Sequence, residues 1–365
     1  MIRPRILAGF DWGLLLVPLL LVAAGISVIY SIAPTATGTV SLAFSQGIYA
    51  LIGLTIFGIV ASLDYRLVRG VAPAIYTAAF VLLFLVLFIG DVQFGARRWI
   101  DLGPFQLQPA EFMKLGLVVV LSWYFAAKED VRWLQLTGAV FLILVPVLLV
   151  LQQPDFGSGL LLFFGALPIL LLSRISREQW IGLAMAMLVA LPIVFFSLQP
   201  YQRERLETFL DPTRDPFGAG YNVLQSVIAI GSGGLTGRGL GQGSQSTLQF
   251  VPVAHTDFIF AGVAEATGFL GSGALLALFA ILIWRAIRLV FVTQDRFGRL
   301  LAAGIGAIWF WSVTINVGMN IGLLPVTGIP LPFVSFGGSS LLTNFALAGI
   351  LASINRRHRK ISFKG

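Results

Sequence analysis

Eight stretches of about 20 mostly apolar residues run through this chain, and two more appear once segments broken by Gly and Pro are admitted. Stretches of that length match the hydrocarbon thickness of a bilayer, so most of the 365 residues are expected to lie in lipid. Hydrophobic residues make up 57% of the chain and charged residues 11%, a balance outside that of a water-soluble domain. The expected fold is an all-α polytopic integral membrane protein, one membrane domain over 1–365. Its ten transmembrane helices are read at 13–33, 41–62, 71–90, 109–126, 134–152, 157–173, 178–198, 258–284, 300–323 and 333–354. An even number puts both termini on one side.

Cytoplasmic loops keep an excess of Lys and Arg. Seventeen of the 24 basic residues fall on the side holding Arg3 and Arg5, Arg66 and Arg69, Lys128 and Arg132, Arg174 and Arg177, the run from Arg285 to Arg299, and a basic tail at 355–365. That side is read as cytoplasmic. A net charge of +8 could suggest nucleic acid in a soluble chain. Here the charges border the membrane, and anionic lipid headgroups are the simpler partner, with no nucleic acid. The first apolar stretch lacks a small-residue cleavage site and is read as an uncleaved anchor. No cysteine is present, so disulfide and thiolate chemistry are excluded. With only two histidines, a multi-His metal site is excluded too.

Four segments depart from simple spans. The outer connection 198–256, between the seventh and eighth helices, is longer than a structureless loop usually is and should hold short or re-entrant helices. Its glycine-rich part, GLTGRGLGQGSQS, lacks a following GK[ST] and does not fit G-x-G-x-x-G after a strand. Turn geometry or substrate contact are the readings left. In FGARRWIDLGPFQLQPAEFMKLG, residues 94–116, Pro109 suits the first position of a helix. Glu111 and Lys114 then share one face about a turn into it, either as a self-neutralising pair or, because intramembrane charge is costly, as part of a substrate path.

In AHTDFIFAGVAEATG, residues 254–268, Asp257 opens a long apolar helix and Glu265 follows eight residues later, about 12 Å deeper by helix rise. Asp257 could cap that helix or act chemically, and His255 could carry a proton or be a wet interfacial residue. In LLPVTGIPLPFVSFGGSS, residues 323–340, Pro and Gly break the chain before the last span. Ser339 and Ser340 lack the context of a nucleophile there, so their hydroxyls should bond backbone or substrate.

GARRWIDLG with QPAEFMK, QPDFGSG, FLDPTRDPFGAGYNVLQS, IAIGSGGL, HTDFIF and GIPLPFVSFGGSS together resemble the SEDS family (shape, elongation, division and sporulation), in order along nearly the whole chain. The GIPLP turn and WIDLG look more like its RodA branch than like its division branch. The resemblance implies a peptidoglycan glycosyltransferase that polymerises lipid II into glycan strands during elongation and shape maintenance. It also implies a class B penicillin-binding protein as partner and a bacterial inner-membrane location with the active site facing outward. The family's essential acid matches Asp257, and other important positions match Arg98, Glu111 and Lys114. Many relatives carry two adjacent acids where this chain has Glu265 and Ala266.

Glycan polymerisation joins an acceptor C4 hydroxyl to a donor C1 and releases undecaprenyl pyrophosphate. The nucleophile needs a base, whereas the leaving group needs positive charge rather than an acid. One inverting displacement requires no second nucleophilic carboxylate. Asp257 is therefore expected to be the catalytic base, with Arg98 and Lys114 near pyrophosphate and Glu111 orienting Lys114. Asp155, His255 and Ser339 complete the substrate-binding candidates. Alternatively, Asp257 ligates a divalent cation, Mg²⁺ or Mn²⁺, on the pyrophosphate. The rival readings are a lipid II flippase and a non-catalytic scaffold; the outward clustering of the charged candidates favours chemistry on a substrate that has already crossed.

Overall fold

The structure is a computed structural model that describes residues 11–32, 39–93, 96–103, 105–196, 200–211, 219–243, 245 and 255–357. The basic tail beyond 357 and parts of the outer connection lie outside the described residues. A helix stands at each of the ten expected places: α1 (Gly13–Ile32), α2 (Thr39–Ser62), α3 (Tyr65–Ile89), α4 (Pro109–Ala126), α5 (Trp133–Gln152), α6 (Phe156–Leu171), α7 (Arg177–Phe196), α10 (Ile259–Val292), α11 (Arg296–Asn320) and α12 (Gly338–Arg357). Among the described residues seven of these are long and apolar enough to cross a membrane. The exceptions are α6, apolar but short, together with α7 and α12.

Two shorter helices, α8 (Pro200–Leu210) and α9 (Ala219–Gly233), occupy the outer connection where short helices were expected, and α9 packs on α10 and α11. One element was not foreseen. Between α3 and α4 stands a small antiparallel sheet, β1 (Asp91–Gln93), β2 (Ala96–Asp101) and β3 (Gln106–Leu107), in the order β1-β2-β3.

Some boundaries shift for local reasons. Helix α3 starts at Tyr65 rather than at 71 because the Asp64 carboxylate accepts the Arg66 amide as an N-cap. Arg66 and Arg69 then lie in its opening turns, where long cationic side chains snorkel to the border. Helix α10 runs on past Arg285 and Arg288 to Val292, and it contains a break at Gly268, where φ is +68°. Asp295 caps α11 by accepting the Gly298 amide at 2.9 Å.

Helices α4 and α11 are buried along most of their length and form the centre of the bundle. Trp309 of α11 is wholly buried, its indole donating to Asn344 Oδ1 of α12 at 2.8 Å. The peripheral helices instead expose Leu51, Phe88, Leu134 and Trp284, an outward apolar surface suited to lipid. Small residues let backbones approach inside the bundle. A Cβ on Gly304 would come within 2.7 Å of Val118, and one on Gly318 within 2.7 Å of Leu324. Both glycines, which could have served as seats for a partner helix, are consumed by internal packing.

The connections gather at two ends. At the basic end, Asp11 pairs with Arg285, Ser353 donates to Leu63 O at 2.6 Å, and the Val131 amide donates to Arg174 O at 3.3 Å. At the other end lie the small sheet, the turn after α5, the residues before α10 and the broken segment before α12.

Candidate active site

The site is built around the turn before α10. Three consecutive carbonyls there are held by donors from two other elements. His255 O accepts the Phe336 amide at 2.9 Å, and Thr256 O accepts the Ser335 hydroxyl at 2.7 Å. Asp257 O accepts from both Asn316 Nδ2 (2.9 Å) and Asn320 Nδ2 (3.0 Å) of α11. Buried non-helical backbone must have its polar groups satisfied by protein, and this turn meets that condition. Asn316 also donates to Ile329 O at 2.8 Å, so one amide ties the turn to the broken segment 321–337. Gln46 secures that segment from α2, donating to Ser335 O at 3.0 Å and accepting from the Gly337 amide at 3.2 Å.

Asp257 does not cap α10: the N-cap position is Phe258, and no side-chain cap bond forms. Its carboxylate lies against Gly328, where a Cβ would come within 3.5 Å of Oδ2 and φ is +73°. Burial first, and then the Asp155 carboxylate, push the Asp257 carboxyl up from the usual range to about 6. The positive charges of Arg205 and Arg98 and a hydrogen bond from the Thr256 side chain pull the other way. His255 is half-buried beside it, its ring edge-on to Phe336 at 5.9 Å, and burial lowers its pKa toward neutral imidazole.

The flanking cations come from separate elements. Arg98 on β2 docks on the turn after α5, donating through Nε to Gln153 O at 2.9 Å and through Nη2 to Pro154 O. Gln153 in turn donates to Leu83 O at 3.0 Å, which fixes the turn on α3. Asp155 follows it as the N-cap of α6, accepting the Ser158 amide at 3.0 Å and hydroxyl at 2.8 Å, with Gln108 Nε2 at 3.4 Å. Its carboxylate is thus largely committed to the fold, while its charge still acts on Asp257. Arg205 reaches in from α8, donating to Val326 O at 3.1 Å. Among the charges of YQRERLETF, sequence alone does not distinguish Arg205.

Glu111 and Lys114 do pair on one face of α4, with 2.7 Å between Lys114 Nζ and Glu111 Oε1 and side chains 5% and 1% exposed. Glu111 Oε2 is buried without a hydrogen-bond partner among the described residues. Ser339 spends its hydroxyl on structure, donating to Gln106 O at 3.0 Å and accepting the Gln108 amide at 2.9 Å. It ties α12 to β3 and to the start of α4.

The glycine-rich run serves close packing. At the Gly268 break, α10 frees carbonyls that the loop pairs: the Arg238 amide donates to Glu265 O and the Gly239 amide to Ala266 O, both at 3.0 Å. A Cβ at Gly237, φ +81°, would come within 2.2 Å of Ala266 O. Glu265 is buried and its Oε1 accepts the Gln245 amide at 2.9 Å, so it anchors this loop. Among the described residues no cluster of three or more His, Cys, Asp or Glu side chains could hold a metal.

This architecture has known counterparts. The family model for FtsW/RodA/SpoVE cell cycle proteins matches residues 10–360. The peptidoglycan glycosyltransferase MrdB of Escherichia coli (strain K12) is 43% identical over 315 residues, 86% of this chain and 85% of that protein. A probable peptidoglycan glycosyltransferase FtsW of Trichlorobacter lovleyi is 37% identical over 368 residues, covering 97% and 95%. Among solved structures, a chain from a peptidoglycan synthase complex studied for its coordination of polymerisation and crosslinking superposes with a TM-score of 0.80 at 34% identity, over 96% of this chain and 99% of that one. The rod shape determining protein RodA of Thermus thermophilus superposes with a TM-score of 0.72 at 30% identity, covering 98% and 100%.

Proposed function

The chain belongs to the FtsW/RodA/SpoVE family of cell cycle proteins, and from that premise we propose that this multi-pass membrane protein is a peptidoglycan glycosyltransferase of the RodA branch that polymerises lipid II. The observation that carries the mechanism is Asp257, an acid with its carboxyl pushed to about 6, in a turn pinned at every carbonyl and flanked by two arginines. A base is most effective when its pKa lies near the working pH.

Asp257 takes the proton of the acceptor C4 hydroxyl as that oxygen bonds to the donor C1. The bond from C1 to the pyrophosphate oxygen breaks with inversion, and its electron pair leaves with undecaprenyl pyrophosphate. Arg98 and Arg205 supply positive charge where negative charge develops. Lys114, oriented by Glu111, adds a buried cation, and Asp155, His255 and Ser339 shape the surrounding wall. A divalent cation, Mg²⁺ or Mn²⁺, would be held by Asp257 alone, since such ions can bind through a single carboxylate plus phosphate oxygens and the Asp155 carboxylate is spent on Ser158 and Gln108. It would supply further charge for pyrophosphate departure.

The excess of basic residues at one end orients that end, with both termini, toward the cytoplasm, and Asp257 outward. The likeness to a peptidoglycan synthase complex chain supports a class B penicillin-binding protein as partner. The exposed outer part of α10 at Phe269 and Leu270 is the surface proposed for its membrane span. Purified protein given lipid II in detergent should form long glycan chains, and folded Asp257→Ala should form none. A flippase has nothing to transport in detergent, so absence of polymer there, with lipid II translocation in sealed liposomes, would reverse the assignment.

A further inference from the structure

A groove of about 410 Å³ lies between α6, α10 and α11, in the half of the bundle remote from Asp257. Every residue lining it is apolar. Small residues on α11, Ala302, Ala303, Gly306 and Ala307, open it, and the stacked rings of Phe164 and Trp311, 4.0 Å apart, line its deep end. From Ala302 to Trp311 the helix rises about 14 Å, roughly half of a ~30 Å hydrocarbon core. The groove is therefore about one leaflet long.

Its shallow end runs into cations. Leu172 lies two residues before Arg174, and Ala302 lies one turn after Arg299. The guanidinium of Arg299 is braced on Thr293 O at 3.3 and 3.4 Å. Arg296 donates one nitrogen to Lys128 O, while Nη2 is buried without a partner among the described residues. The charges of Arg174 and Arg299 both act on Arg296, with Asp130 and Glu129 as weaker opposing neighbours. Like charges held together around a buried, unpaired donor are costly in isolation, and a phosphate relieves both penalties.

We propose that groove and cluster form one site for an anionic phospholipid, its phosphate on Arg174, Arg296 and Arg299 and one acyl chain along α11. Basic pockets between membrane helices take acidic headgroups in this way. Under the orientation above, the lipid belongs to the cytoplasmic leaflet. The binding itself does not depend on that orientation or on the glycosyltransferase reading.

The test is native mass spectrometry of the full chain in neutral detergent with phosphatidylglycerol or phosphatidylcholine added. Wild type should retain phosphatidylglycerol about tenfold better, a ratio equivalent to about 1.4 kcal/mol. Arg174→Gln/Arg299→Gln should erase that preference, and Ala307→Trp should lower retention of both lipids, with Ile287→Trp on the exposed wall as the second groove variant. Melting temperatures in neutral detergent without added lipid should match wild type. An unchanged preference in the Gln pair, or full retention in both groove variants, overturns the proposal. So does complete displacement by glycerol 3-phosphate, which marks a site for free phosphate, or capture of the partner's span by a crosslinker placed at Ala307.

Discussion

Asn316→Ala should uncouple the fold of the site from its chemistry more cleanly than any change at Asp257. The side-chain amide nitrogen donates two bonds, to Asp257 O at 2.9 Å and to Ile329 O at 2.8 Å. Without it, Asp257 O keeps Asn320 at 3.0 Å, so that half of the loss is up to about 1 kcal/mol. Ile329 O is left buried without its side-chain donor, which costs about 1–3 kcal/mol. The expected total is about 1–4 kcal/mol of stability, a large fraction of the ~5–15 kcal/mol typical of a folded protein.

The kinetic effect should be larger than the stability loss suggests. Asn316 joins the turn carrying Asp257, the proposed base, to the segment containing Gly328, which backs the carboxylate. A displacement of about 1 Å in a catalytic group costs on the order of 10²-fold in rate. Lipid II polymerisation in detergent should show kcat reduced by about that factor with KM little altered, measured where the variant is still folded. Ser335→Ala removes the donor to Thr256 O from the opposite side. Because both residues hold one turn, the double variant should fall short of the product of the two single effects. If Asn316→Ala melts lower yet polymerises at the wild-type rate, the clamp serves stability alone and the positioning argument fails.

Two further outcomes follow from the geometry. Lys114→Met alone strands Glu111, 1% exposed, as a buried charge and should destabilise by about 3–5 kcal/mol; Glu111→Gln/Lys114→Met should regain folding but make no polymer, and wild-type activity in that double variant would return the pair to a structural role. Since the base must be ionised, polymerisation should rise with pH through about 6 and level off above it. Arg205→Met, which removes a cation favouring the carboxylate, should move that midpoint upward; a midpoint near the ordinary carboxylate value of about 4, or one that Arg205→Met leaves in place, would contradict the electrostatic account.

Apolar spans were legible because hydropathy is a local property, and the misplaced ends occur where it misleads: Arg66, Arg69, Arg285 and Arg288 lie in helix but read as border. Asp257 and the Glu111–Lys114 pair were legible as charges in apolar surroundings. The glycine run was ambiguous, because substrate contact and close packing on a broken helix demand the same absence of Cβ. Arg205 was hidden among like residues on α8. Asn316 and Asn320 left the faintest trace, since two amides in a 25-residue helix barely alter its hydropathy and their partners lie 59 and 63 residues away.

A physical argument could still have pointed to these two residues. A buried non-helical turn that carries an acid needs a donor for each of its carbonyls. Donors without a charge of their own leave the acid's pKa to be set by burial and then by neighbouring charges, the Asp155 carboxylate ahead of Arg205 and Arg98, as at Asp257. Amides four apart on a neighbouring span meet that need in one stroke, because helical spacing aims both at the same spot. Asn316 and Asn320 converge in this way on Asp257 O, and α11 is one of the two buried central helices. The acid is thereby held from a helix that is itself packed into the centre of the bundle.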